Sequence, residues 1–281
     1  MTATYLVSDR VDACDVQGSA DTRGVGIDHA GVSGLRYPIV VLDQARTRQH
    51  TIASVTMSVA VAHQFKGTHM SRFIEVLNRH RGEVTMHTIP TILEELCLRL
   101  DAEEASMEVR FPYFLERLAP ATGAAALLDY DCAFTATRRR GATDFILEVG
   151  VPVTSLCPCS KAISDYGAHN QRGTITTRVR TMCPADFIWI EEIVEIAEAS
   201  GSAPVYPLLK RADERFVTMQ AYDHPVFVED MVRNVATRLQ NDARVQWFAV
   251  RAVNAESIHN HAAFAEVAWS RAVLGRDGDD S

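Results

Sequence analysis

Two successive rounds of strand and helix patterns constrain the fold of this chain most strongly. The first round reads as strands in residues 36–43 and 49–63, a loop that becomes helical in 65–77, a helix in 90–100 and strands in 106–115 and 125–137. The second round follows in residues 144–153, 174–181, 186–200, 225–239, 244–253 and 262–270. Strand pairs that flank helices, twice over, predict an α+β protein with two modules built on antiparallel sheets.

The chain divides into four predicted parts. Residues 1–34 have few large apolar groups, so we expect a flexible N-terminal arm. Residues 35–140 and 141–272 form the two predicted modules, and the second carries most of the candidate site residues. The segment 201–224 is polar and contains prolines, so we expect a connection there. Residues 273–281 form an acidic tail.

Composition limits the function classes that fit the chain. A net charge of −8 disfavours a general nucleic-acid-binding surface but still allows a local basic cluster for a small anionic substrate. No apolar run reaches the roughly 18–20 residues of a membrane span, and the N-terminus lacks the pattern of a signal peptide. We therefore expect a cytoplasmic protein, in which six cysteines without scaffold-like spacing are thiols rather than disulfides.

The stretch from Val151 to Arg172 concentrates groups that can carry chemistry. Cys157, Cys159 and His169 lie within thirteen residues of one another, behind an apolar run. A thiolate and an imidazole together are typical zinc ligands, and a catalytic zinc needs only three protein ligands. A closed structural zinc site with both cysteines as ligands is disfavoured, because the C-x-C spacing is not that of a zinc knuckle.

A third ligand must come from elsewhere in the chain, and two later stretches offer one. The stretch LLKRADERF holds Asp213 and Glu214, and the stretch NAESIHNHAAF holds Glu256, His259 and His261. The second stretch falls in the predicted turn between the last two strands, where an acid and two histidines exceed what a turn requires. The residues alone leave the choice between the two stretches open.

Two further features fit a nucleotide substrate. Glu229 lies early in a predicted helix, and its two carboxylate oxygens could accept hydrogen bonds from the ring N–H and amine of a guanine. The stretch KGTHMSR places Lys66, His69 and Arg72 around a flexible glycine, which makes it the favoured candidate for phosphate contacts.

Four motifs then carry a resemblance, in the order FKGTHMSRF, SLCPCSKAISDYGAHNQR, YPLLKRADERFVT and NAESIHNHAAF. Together they resemble the type IB GTP cyclohydrolase I family of prokaryotes, over residues from about 24 to about 270. The resemblance implies tandem tunnelling-fold (T-fold) modules, with helices packed on one face of antiparallel sheets. It also implies a homotetramer with active sites at subunit interfaces.

The resemblance implies a reaction in which GTP and water give 7,8-dihydroneopterin triphosphate and formate, the first step of folate and pterin biosynthesis. One divalent metal per site, zinc, manganese or iron, would be held by Cys157, His169 and Glu214. The alternatives are a related cyclohydrolase that yields a cyclic-phosphate dihydroneopterin, and a non-catalytic zinc-stabilised assembly protein.

The resemblance also assigns roles to residues around the metal. Cys159 matches the thiol beside the reacting carbon, and Glu229 matches the carboxylate that anchors guanine. Glu256 and His259 match the pair that transfers protons. Ala162 stands where the family commonly has an acid, which concerns the surface of the loop and not the ligand set.

Overall fold

The computed structural model describes residues 17–80, 83–183 and 186–272. Within these residues nine strands form a single sheet, in which β1, β2, β3, β4, β5, β6, β8 and β9 lie side by side and β7 pairs with β5. All neighbours are antiparallel. The strands are β1 Ile27–Asp43, β2 Thr47–Val61, β3 Glu104–Leu118, β4 Ala125–Arg139, β5 Ala142–Leu156, β6 Asn170–Thr181, β7 Ala203–Pro204, β8 Val245–Ala255 and β9 Ala262–Ser270.

Four of the helices supply the apolar layer that covers one face of this sheet. Alternate strand residues such as Val149, Val151 and Val153 are buried and belong to the same core as side chains of α1, α2, α4 and α6. None of the described helices is long and apolar enough to cross a membrane. The helices are α1 Met70–Arg79, α2 Ile89–Leu100, α3 Pro158–Ile163, α4 Ile190–Glu198, α5 Arg211–Asp223 and α6 Val228–Asn241.

The sheet continues without a break across the predicted module boundary at residues 140–141. Strands β4 and β5 pair from Asp131 opposite Gly150 to Arg139 opposite Ala142, and one core runs through both halves. The two predicted modules therefore share one sheet within the described residues. Apart from the short elements α3 and β7, the order of two strands, helices and two strands occurs in each half.

Two predicted segments differ from the structure. Strand β1 begins at Ile27, inside the predicted arm, because backbone pairing with β2 orders residues whose side chains bury little. At Gly31 this pairing is so close that a Cβ would lie 1.9 Å from the carbonyl oxygen of Met57. Helix α5 occupies much of the connection predicted at 201–224. The remaining arm residues 1–16 and the acidic tail 273–281 lie outside the described residues.

Polar groups fix helix α4 against the sheet. The hydroxyl of Tyr130 donates to Glu198 Oε1 at 2.9 Å, and Arg117 forms an ion pair with the same carboxylate. Burial raises the pKa of Glu198, although the charge of Arg117 opposes this effect. At the other end of the helix, the hydroxyl of Tyr113 donates to Glu191 at 2.6 Å. These bonds set the position of α4 along the strands.

Two leucines of α2 provide a matched test of the core. Leu96 is fully buried, whereas Leu98 is 77% exposed on the same helix. We expect Leu96→Ala to lower the free energy of unfolding by about 2–5 kcal/mol, because it removes core contacts and leaves a cavity. Leu98→Ala should change it by less than about 0.5 kcal/mol. Urea unfolding of both variants checks this, and equal effects would contradict the placement of α2.

Candidate active site

The ladder between β5 and β6 brings Cys157 and His169 together. Leu156 and Asn170 form the last registered pair of these strands, and Cys157 N donates to His169 O at 3.1 Å just beyond it. Residues directly opposite each other in an antiparallel pair have Cβ atoms about 4.5–5.5 Å apart. The thiol and the imidazole therefore lie on the same side at this end of the sheet.

The short helix α3 fixes the loop between these two residues. Cys157 caps the helix, with its Sγ 3.4 Å from Ser160 N, and Pro158 occupies the first helical position, where no N–H is needed. The hydroxyl of Ser160 donates to Cys157 O and accepts from His169 N, both at 3.2 Å. Ser160 thus joins the two ends of the loop.

Cys159 has a different environment on the same short helix. It is exposed, whereas Cys157 is half-buried. Two residues later, the Lys161 ammonium donates to Tyr222 O and lies 4.1 Å from the centre of the Tyr222 ring. This contact joins α3 to the end of α5.

The turn between β8 and β9 carries the predicted proton-transfer residues to the same end of the sheet. Glu256 Oε2 lies 3.9 Å from His169 Nδ1. The backbone N–H of His259 donates to Glu256 O at 3.3 Å, and the exposed rings of His259 and His261 stack with centroids 4.9 Å apart. A carboxylate and imidazoles therefore lie beside the cysteine loop.

Glu229 also lies at this end of the sheet. It is exposed in the first turn of α6, and Val226, just before that helix, donates its N–H to Leu156 O at 3.2 Å. The bond holds the start of α6 against the end of β5. Thiols, imidazoles and carboxylates thus surround the last residues of β5.

Glu214 does not lie close to the other two predicted metal ligands, Cys157 and His169. Across the described parts of the chain, no three His, Cys, Asp or Glu side chains lie close enough together to hold a metal. Glu214 is exposed in the first turn of α5, whereas Tyr222, which contacts α3, lies near the end of that helix. At 1.5 Å per residue the two positions are roughly 12 Å apart along the helix axis.

Its neighbour Asp213 anchors the start of α5. The buried Asp213 carboxylate accepts from Ala121 N and Thr122 N at 2.8 Å, from Thr122 Oγ1 at 2.7 Å and from Lys210 N at 2.9 Å. Burial acts to raise the pKa of Asp213, but these hydrogen bonds outweigh it and lower the pKa to about 2. Asp213 is thus a structural anchor, and the other acid of its stretch remains the candidate ligand.

Lys66, His69 and Arg72 lie at the opposite end of the sheet. Their segment follows the end of β2, and the register across β3 and β4 sets Val59 level with Thr143 near the start of β5. Strand β5 has 15 residues, so the distance along it to the cysteine loop is roughly 45 Å. The segment lines a separate cavity of about 130 Å³. One chain therefore does not bring these basic groups to Cys157.

Three buried polar residues below the loop were not among the predicted site residues. Ser155, Gln171 and Asn254 are each at most 7% exposed and are linked by hydrogen bonds. Their positions are visible in the strand patterns, because Ser155 and Asn254 follow the inward-facing residues of β5 and β8, and Gln171 precedes those of β6. Only the register between strands shows that the three meet.

The fold and these groups define an α+β protein with reactive side chains at one end of a large antiparallel sheet. Uricase from Arthrobacter globiformis has a similar fold, with a TM-score of 0.50 and 10% identity, covering 90% of this chain and 96% of that one. Two curated relatives are much closer in sequence, and both are named GTP cyclohydrolase FolE2. The protein from Syntrophus aciditrophicus is 53% identical, over 90% of this chain and 98% of its own length.

The relative from Pelobacter propionicus is 51% identical, over 92% of this chain and 98% of its own length. The family model described as type I GTP cyclohydrolase FolE2 matches residues 14–265. The chain therefore belongs to the type I GTP cyclohydrolase FolE2 family, a family of enzymes. This confirms the resemblance to a GTP cyclohydrolase at the level of the family.

The Asp213 anchor predicts a pH-dependent loss of stability. A pKa lowered from 3.8 to about 2 stabilises the folded chain above about pH 4, and this contribution disappears as the pH falls to about 2. We expect Asp213→Asn to have a lower Tm than the parent at pH 7, with a difference that shrinks below pH 4. Asp223→Asn, an exposed change on the same helix, is the control. A Tm difference independent of pH would contradict the anchor.

Proposed function

We propose that this chain converts GTP and water to 7,8-dihydroneopterin triphosphate and formate, as a type IB enzyme at the entry to folate and pterin synthesis. The observation that carries the proposal is the pairing of Cys157 and His169 at the sheet end, beside Cys159 and Glu256. Membership of the FolE2 family supports the choice of GTP. A cytoplasmic location is part of the same proposal.

The donor set fits a divalent metal such as zinc, manganese or iron. The thiol of Cys157 and the imidazole of His169, on directly opposed residues, can supply two metal ligands. A carboxylate is a common third ligand. We propose Cys157, His169 and Glu214 as these ligands. When bound, the metal would supply Lewis-acid activation of the water that attacks carbon 8 of guanine.

Side chains of the protein would transfer protons and bind the substrate. Glu256 and His259 are joined through a backbone hydrogen bond and can exchange protons with the ring nitrogen of the substrate as it opens. Cys159 is exposed on α3 and would face the substrate. Glu229, in the first turn of α6, would accept the ring N–H and amine of guanine through its two oxygens.

We further propose tandem T-fold modules assembled as a homotetramer with active sites between subunits. The repeated element order and the uricase-like fold support the modules. The separation of Lys66, His69 and Arg72 from the cysteine loop supports assembly, because only a second copy could bring these basic groups to the triphosphate. The position of Glu214, away from the other two ligands, fits the same arrangement.

The reaction is tested by incubating the metal-loaded protein with GTP and measuring formate and the oxidised, fluorescent pterin. We expect both products from the parent and a loss of at least about 100-fold in kcat for Cys159→Ala, because the thiol is proposed to face the reacting carbon. Cys183→Ala, an exposed cysteine at the far end of β6, should retain activity. Product mass separates the open triphosphate from a cyclic phosphate.

Metal removal separates the enzyme from a zinc-stabilised assembly protein. A catalytic metal should leave a folded, inactive chain after chelation, with activity restored by adding the metal back. Unfolding on chelation, together with absence of formate from the loaded protein, would contradict the proposed reaction.

Mixed oligomers test the shared site. We expect Lys66→Glu and Cys159→Ala each to be inactive alone, and their refolded 1:1 mixture to recover about a quarter of the parent activity, since random assembly leaves that share of sites intact. No recovery would contradict a site shared between copies. A 1:1 mixture of Glu214→Gln with Cys159→Ala tests the origin of the third ligand in the same way. Recovered activity would indicate that Glu214 and Cys159 of one site come from different chains.

A further inference from the structure

A line of buried polar side chains connects the His169 ring to the backbone of Val226. Nδ1 of His169 lies 2.8 Å from Gln171 Oε1, and Gln171 Nε2 lies 3.4 Å from Ser155 Oγ. The Ser155 hydroxyl lies 3.1 Å from Val226 O and 3.0 Å from Asn254 Nδ2. Three strand ends and the start of α6 therefore meet below the proposed metal ligand.

The direction of each hydrogen bond in this line follows from the Val226 carbonyl. A carbonyl only accepts, so Ser155 must donate its single hydroxyl proton to it. The Ser155 oxygen then offers only lone pairs, and Gln171 must turn its NH₂ group towards it. The Gln171 oxygen consequently faces His169, which must donate from Nδ1.

We infer that Gln171 is a positioning residue, which holds the His169 proton on Nδ1 and leaves the Nε2 lone pair for the metal. This inference rests on the proposed function, in which His169 is a ligand. Ligating histidines usually donate their second ring N–H to an acceptor, which fixes the tautomer and the ring orientation.

The same geometry separates the roles of Gln171 and Glu256. Glu256 Oε2 is 3.9 Å from the same Nδ1, beyond hydrogen-bond distance, whereas Gln171 Oε1 is within it. A neutral amide oxygen therefore accepts the hydrogen bond from His169 Nδ1. The Glu256 carboxylate is left available for proton transfer with substrate.

Burial makes this orientation difficult to change. Gln171 is 7% exposed, and Ser155 and Asn254 are each 1% exposed, so water cannot readily replace a lost bond. Gly173 lies opposite Asn254 in the ladder, and a Cβ there would come within 2.2 Å of Asn254 Oδ1. The missing side chain at Gly173 leaves Asn254 room to donate to Ser155.

Metal affinity is the first measurement, with zinc alone as the probe in competition with a chelating dye. We expect Gln171→Leu, which keeps the approximate volume but removes the acceptor, to raise the Kd for zinc about 10–100-fold. Gln240→Leu, an exposed glutamine on α6, should leave the Kd unchanged. Circular dichroism and Tm establish that both variants are folded. A folded Gln171→Leu whose Kd stays within about threefold of the parent overturns the inference.

The tautomer of His169 in the parent protein is the second measurement. In the metal-free parent with ¹⁵N-labelled histidine at about pH 8, where imidazoles are neutral, long-range ¹H–¹⁵N spectra distinguish the two ring nitrogens. His169→Gln assigns the signal. We expect the proton on Nδ1 in the parent and a shift towards Nε2–H in Ser155→Ala, because the Gln171 amide is then free to turn. A parent protonated on Nε2 overturns the inference.

The two measurements keep this inference apart from the proposed function. A parent protein that binds no zinc contradicts the metal site, whereas the tautomer of its His169 still decides the role of Gln171. A parent that binds zinc with the proton on Nε2 retains the metal site and removes Gln171 from it.

Discussion

The backbone register of β5, β6 and β8 is the constraint on which the site depends. Leu156 lies opposite Asn170, and Gly173 lies opposite Asn254, so residues distant in the sequence arrive at one sheet end on one face. A slip of one residue would turn every side chain of a strand to the other face of the sheet. The Cys157 thiol and the His169 imidazole would then lie on opposite faces. The apolar face buried under the helices opposes such a slip, so core packing also specifies the site.

The buried side chains change from apolar to polar at the end of the sheet that carries the site. Inward positions that are apolar along most of β5 and β8 end in Ser155 and Asn254, and the matching position of β6 is Gln171. Buried polar groups are costly when unpaired, and Ser155 Oγ accepts from both Gln171 and Asn254, although Asn254 Oδ1 has no partner among the described residues. The helix-covered face thus ends in linked polar side chains next to the candidate metal and proton-transfer groups.

The sequence predicted most strands and the four helices α1, α2, α4 and α6, because their side chains alternate or repeat with burial. It predicted Ala262–Ser270 with the bounds that the structure has. It missed α5 because only Asp213 and Ala221 of that helix are buried, so no apolar stripe marks it. The cysteine loop was visible from residue types and spacing. The Gln171 contact and the separation of Lys66 from Cys157 depend on strand pairing, which local patterns do not contain.

The two cysteines of the loop show how a change of secondary structure can divide chemical roles. In a continuing strand, residues 157 and 159 would point to the same face. Strand β5 instead ends at Leu156 and α3 begins at Pro158. Cys157 keeps the inward direction of the strand and lies half-buried opposite His169, whereas Cys159 turns out to solvent on the helix. A ligand and a substrate-facing thiol can therefore be neighbours in sequence, because the strand ends between Leu156 and Cys159.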